Sequence, residues 1–208
     1  MTLIKIEAVP DKKDRYILRF EGGENLTCSA AEVADFRLAS GKELDEEAYE
    51  RLSRACEYCR AREKAAMLLS ARPMSSGELR QKLKDKGICE EDADKAAEWL
   101  ESLGILNDAE YAAMVARHYA GKGYGAGRIR NELFKRRVPR SLWDDAVGEI
   151  PDGGDQIDKF ISSKLKGNSP DEREKRKLID ALRRRGFSWD EIKNAMARYA
   201  DNMDFTED

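Results

Sequence analysis

Residues Glu78–Ala96 read ELRQKLKDKGICEEDADKA, and the same pattern returns twice. It recurs as RIRNELFKRRVPRSLWDDA over Arg128–Ala146 and as KLIDALRRRGFSWDEIKNA over Lys177–Ala195. Apolar positions fall in register: Leu79, Ile129 and Leu178; Leu83, Leu133 and Leu182; Ile88, Val138 and Phe187; Ala96, Ala146 and Ala195. The offsets are 50 and then 49 residues. Three copies at near-constant spacing with a shared turn are the signature of a repeat architecture, in which stacked units bury what one unit cannot.

Working outward, each copy reads as three helices. In the first, Pro73 stops a helix over Ala61–Ala71, because the residue before a proline is pushed out of the α region. Ser75-x-x-Glu78 then has the form of a capping box, and Lys86-Gly87 closes the second helix with a glycine free to turn left-handed. The third helix carries Ala93, Ala96, Ala97 and Leu100 as its apolar stripe. Gly104 ends this unit, and Asn107-x-x-Glu110 caps the next. Gly121–Gly127 is read as a helix–helix turn, and Pro139 as the start of that unit's third helix. Pro151–Gly154 separates the last unit, whose first helix runs about Gln156–Leu165. Ser169-Pro170 breaks the chain again, and Ser188-x-x-Glu191 caps the final helix. Leu3–Ile6 and Tyr16–Phe20 are short alternating segments that predict a β-hairpin. Ser29-x-x-Glu32 caps a short helix, and a longer one begins at Asp45. The expected fold is therefore mainly α: tandem three-helix repeats in an elongated array, with a small N-terminal β-hairpin and helix region. The expected boundaries are 1–60 for that region, then 61–106, 107–153 and 154–208 for the repeats.

Of the 208 residues, 41% are apolar and 38% charged, against about 25% charged in an average domain. The net charge is only −3. No run of about 18 apolar residues exists and no apolar segment follows Met1, so neither a membrane span nor a secretory signal is expected. Four cysteines are too few for a disulfide scaffold and are expected to stay reduced in the cytoplasm. Charge is segregated: Glu90–Glu110 holds eight acids and one lysine, and Val115–Arg140 eight bases and one acid. Ser141–Asp158 holds six acids and no base, and Lys164–Arg185 nine bases and four acids. Solvated helix faces account for any one such block, but less well for alternation of bases and acids in blocks of about twenty.

Catalytic chemistry finds little support. Cys56-x-x-Cys59 lies inside a charged helical stretch rather than at a helix start after a strand, and Cys28, Cys89 and His118 are not at ligand spacing. The two cysteines are read as reduced helical residues. With His118 as the only histidine, its reading is packing or an interface. The Gly121–Gly127 run lacks the phosphate-loop spacing and follows a helix. No metal, cofactor or catalytic residue is expected. A nuclease using carboxylate-bound metal is the enzymatic alternative, and no spacing supports it. The informative residues are the bases of each second helix. Arg80, Lys84 and Lys86, then Arg128, Arg130, Lys135, Arg136 and Arg137, then Lys177, Arg184 and Arg185 suit a regular polyanion or filament. Tyr124 could add stacking or serve packing. A tandem helix-turn-helix protein binding nucleic acid in general is the rival. Acidic third helices in two of three copies argue against groove reading.

Several segments resemble the RecX regulatory family. They are Ala71–Arg80 (ARPMSSGELR) with Leu83 and Lys86-Gly87-Ile88; Leu103–Asp108 (LGILND) with Tyr111-Ala112; and Gly125-x-x-x-Ile129-Arg-x-Glu-Leu133. The likeness is good from about Ala61 to Ile150 and general elsewhere. The resemblance implies a cytoplasmic bacterial protein that binds the RecA filament along its groove, and a monomer is expected. It implies suppression of strand exchange, ATP hydrolysis and coprotease activity; from the basic helices, weak contact with single- or double-stranded DNA through phosphates is also expected. One departure stands out: Arg137 occupies the position of the turn glycine. A non-glycine residue in a left-handed cap costs on the order of 1 kcal/mol, so a local change of that turn is expected.

Overall fold

The computed structural model describes residues 1–10, 12–150, 154–165 and 170–204. The chain divides into two compact units, Met1–Pro73 with Leu79–Leu106, and Met74–Glu78 with Asn107–Asp208.

In the first unit, β1 (Leu3–Ala8), β2 (Arg15–Phe20) and β3 (Asn25–Ser29) form an antiparallel sheet in that order. The expected hairpin is thus extended by a third strand, in register from Arg15 opposite Ser29 to Arg19 opposite Asn25. Leu3, Leu18, Phe20 and Cys28 bury their side chains with Leu38, Leu44, Leu52 and Cys56. Ser29 and Glu32 form the expected capping box at the start of α1 (Ala30–Asp35). Asp45 caps α2 (Glu46–Ala71) through the Ala48 N–H, and Arg72 is extended before Pro73, as the proline requires. α3 (Ser76–Asp85) contributes Leu79 and Leu83 to the interior, and α4 (Glu90–Ser102) contributes Ala93, Ala96, Ala97 and Leu100. α4 packs against α2. The small residues on its buried face suit close approach of the two helices.

The second unit holds α5 (Asp108–Gly121), α6 (Ala126–Lys135), a 3-10 turn at Arg140–Leu142, and α7 (Trp143–Gly148). These are followed by α8 (Gly154–Leu165), α9 (Glu172–Arg184) and α10 (Trp189–Asp204). One core gathers Tyr111, Val115, Ile129, Leu133, Val138 and Ala146; another gathers Ile157, Ile161, Leu178, Leu182, Phe187 and Ile192. Asn107 caps α5, and the Ser188–Glu191 exchange caps α10, as their spacings predict. An unexpected capping box joins Asp171 and Glu174 at α9. The linker expected at Pro151–Gly154 lies outside the described residues except for Gly154, and Ser169 lies outside them too.

The turn after each second helix is the same. Gly87 N–H donates to Lys84 O (2.9 Å) and Ile88 N–H to Leu83 O (3.1 Å). The equivalent pairs after α6 are Arg137 to Phe134 (2.9 Å) and Val138 to Leu133 (3.1 Å). After α9 they are Gly186 to Arg183 (2.9 Å) and Phe187 to Leu182 (3.3 Å). The φ angles are +76°, +55° and +89°. The expected local departure at Arg137 does not occur. Both hydrogen bonds and the burial of Val138 hold the turn, and Arg137 adopts the left-handed conformation.

Within the second unit these turns also join successive elements. Gly125 N–H donates to Arg185 O and Gly127 N–H to Gly186 O, both at 2.9 Å. A Cβ at Gly125 would lie 2.7 Å from Gly186 O, so glycine is needed for the approach. The segment Met74–Glu78 repeats this arrangement. Ser75 Oγ donates to Arg136 O, and a Cβ at Gly77 would lie 2.9 Å from Arg137 Cβ. Ser76 N–H donates to Asp108 Oδ1 at 2.7 Å.

Candidate polyanion-binding surface

The structure sorts the expected basic residues by whether a carboxylate of the same unit neutralises them. In the first repeat, Arg80 Nε lies 3.1 Å from Asp94 Oδ1 and its Nη2 3.5 Å from Glu101 Oε1, both on α4. Lys84 pairs with Glu90 at the start of α4. In the second, Arg130 Nη2 lies 3.0 Å from Asp144 Oδ1 on α7. Glu132 is buried and gathers Arg128 (3.2 Å), Lys135 (3.3 Å) and the Tyr119 hydroxyl (3.1 Å). Burial alone would raise the Glu132 carboxyl. The Lys135 and Tyr119 hydrogen bonds and the Lys135 and Arg128 charges outweigh it and hold the group below the usual carboxylate range. The alternation of basic and acidic blocks in the sequence thus has a local cause: in these two repeats an acidic third helix faces a basic second one.

Other expected residues are built into the fold. Arg136 is half-buried and donates to Tyr111 Oη at 2.9 Å. Arg185 donates to Gly123 O at 3.2 Å, with its guanidinium 4.4 Å from the Phe160 ring centroid and 5.6 Å from that of Tyr124. Tyr124 is half-buried between Arg185 and Arg128, the latter at 5.8 Å, and its ring tilts against Tyr119. It lies at the joint between the second and third repeats. His118 is exposed, edge-on to Tyr119.

The remaining expected residues have no ion-pair partner among the described residues: Lys86, Arg137, Lys177 and Arg184, all exposed. α9 carries the densest group. Arg173, Arg176, Lys177, Arg183 and Arg184 are exposed on the helix face opposite Leu178 and Leu182, with Asp180 among them. The α10 carboxylate Glu191 accepts from the Ser188 N–H in the cap. Arg173, Arg176 and Arg183 belong to this surface by the same helical spacing as Lys177 and Arg184. Arg140, whose guanidinium lies 5.5 Å from the Trp143 ring centroid, joins Arg137 as a cation outside the ion pairs, and Phe134 beside them is 69% exposed. Phe134 could have been found in the sequence because it falls off the stripe set by Ile129 and Leu133.

Cys28, Cys56 and Cys59 are buried thiols, and Cys89 is exposed. Among the described residues no group of three His, Cys, Asp or Glu side chains is placed to hold a metal ion. None of the described helices is long and apolar enough to cross a membrane.

Fold and surface together define a tandem three-helix-repeat protein with a cationic α9 face that stands outside the ion pairs of the described residues. Models described as the first, second and third three-helix domains of RecX match residues 61–100, 107–147 and 155–196. The chain is 35% identical over 139 residues to the regulatory protein RecX of Vibrio parahaemolyticus, covering 66% of this chain and 90% of that one. It is 25% identical over 206 residues to the RecX of Finegoldia magna, covering 96% and 100%. A crystal structure of regulatory protein RecX superposes with a TM-score of 0.76 at 24% identity, covering 94% of this chain and 98% of that one. The chain belongs to the RecX family of regulatory proteins.

Proposed function

We propose that this chain is a non-catalytic, monomeric and cytoplasmic modulator of RecA. It binds the RecA filament on DNA and inhibits the recombinase, ATPase and coprotease activities, and so modulates DNA repair and the SOS response. The observation that carries the binding mode is the α9 face: five exposed cations without carboxylate partners among the described residues. Lys177 and Arg184 there, with Lys86 and Arg137, are available to phosphates or to acidic side chains without first breaking an ion pair. Arg80, Lys84, Arg128, Arg130 and Lys135 would each have to exchange one acceptor for another, which lowers the net gain. Arg136 and Arg185 support the surface from within.

The test is binding to labelled single-stranded DNA, bare and RecA-coated, at two salt concentrations. The chain is expected to prefer the coated strand. The double variant Lys177→Glu/Arg184→Glu is expected to bind it more weakly and with a shallower salt dependence. Each phosphate that the variant no longer neutralises should lower the slope by about 0.9 on duplex-like geometry and by about 0.7 on a single strand. Equal affinity for bare and coated DNA would favour a general nucleic-acid-binding protein instead. Unchanged binding by the variant would rule out the α9 face as the binding surface.

A further inference from the structure

A cleft of about 660 Å³ lies where α6 ends, lined by Phe134, Lys135, Arg137, Val138, Arg140 and Trp143. Three cations and no carboxylate line it. Lys135 shares Glu132 with Arg128, but Arg137 and Arg140 have no ion-pair partner among the described residues. Phe134 is the most exposed large apolar side chain among the described residues, and its ring stands edge-on to Trp143 at 6.4 Å. The Trp143 indole is fixed, because its Nε1–H donates to Val138 O at 3.0 Å. The Arg137 backbone is fixed as well, by the left-handed turn it occupies. An exposed aromatic ring and a rim of cations are therefore gathered around one fixed indole.

The geometry points to a single-stranded nucleic acid site in this cleft, with a base stacked on Phe134 and flanking phosphates on Arg137 and Arg140. A nucleotide carries a flat π-face and a negative charge on one unit, which matches one exposed ring rimmed by cations. An acidic peptide residue offers charge or an apolar face, not both. Duplex phosphates would leave the ring unused. Stacking of this kind is sequence-tolerant. The inference deepens the DNA part of the proposed function and rests on it.

The test measures binding of the full chain, without RecA, to a labelled oligothymidylate and to an abasic strand of equal length and charge. The wild type is expected to prefer the strand with bases. Phe134→Ala, at an exposed position, is expected to weaken base-containing binding on the order of tenfold and to leave abasic binding unchanged. Phe134→Trp should retain the preference. Equal wild-type affinity for the two strands would overturn the stacking site while leaving phosphate binding intact. Binding to neither strand would overturn it together with the DNA part of the proposed function. A Phe134→Ala chain that keeps oligonucleotide binding but loses RecA inhibition would overturn it in favour of a protein contact.

Discussion

Gly186→Ala is expected to unseat the third repeat from the second and to cost about 3–5 kcal/mol, the sum of backbone strain and overpacking. Gly186 has φ +89°, a conformation that L side chains rarely adopt. The added Cβ would also overlap the Arg128 backbone nitrogen and come within 2.7 Å of Arg128 Cβ. Neither neighbour is the movable end of a side chain, so relief requires α6 to shift. That shift would break the Gly125 and Gly127 hydrogen bonds to Arg185 and Gly186. Gly87→Ala is the internal comparison. Its φ is +76°, yet nothing lies within 4 Å of the added Cβ. It should cost only about 1 kcal/mol. Urea denaturation of the two variants checks this; equal losses would mean that the close approach at Gly186 contributes little.

The second large effect is expected in the N-terminal unit. Arg15 is 6% exposed, donates to Cys59 Sγ at 3.2 Å and pairs with Glu63, whose side chain is half exposed. Glu63→Gln keeps the shape but leaves a buried guanidinium without its counter-charge. Breaking a fully buried pair costs about 3–5 kcal/mol, and the solvent around Glu63 reduces this to about 2 kcal/mol. Arg15→Met removes the charge while keeping an apolar stem and is expected to cost less. The double variant should resemble Arg15→Met alone, which gives a coupling of about 2 kcal/mol in a double-mutant cycle. A neutral Glu63→Gln would show that the guanidinium is satisfied by other groups.

The repeats were legible because helix packing has a period, and Leu79, Ile129 and Leu178 hold it at every copy. Caps at Ser29, Asn107 and Ser188 were legible because they are local, spanning three residues. β3 was not. Only Cys28 of its five residues is fully buried, and Asn25, Thr27 and Ser29 read as turn and cap chemistry. Its pairing with β2 is a tertiary choice that outranks local propensity. At Arg137 the cost of a left-handed arginine is visible in sequence, whereas the hydrogen bonds that offset it are not. The same limit applies to the surface. Basic positions are plain in the sequence, but Arg130 finds Asp144 fourteen residues on and Arg80 finds Glu101 twenty-one on. No rule of i,i+4 spacing reveals those partners. Separating neutralised cations from available ones therefore required the fold.

The most direct measurement is the single-strand-dependent ATPase of RecA titrated with this chain at low and at moderate salt. A modulator acting on the filament should lower hydrolysis in a saturable way at both salts, including when RecA is preassembled on the strand before the chain is added. If hydrolysis is unaffected, or falls only when the chain is added before RecA and only at low salt, the protein competes for DNA and does not act on the filament.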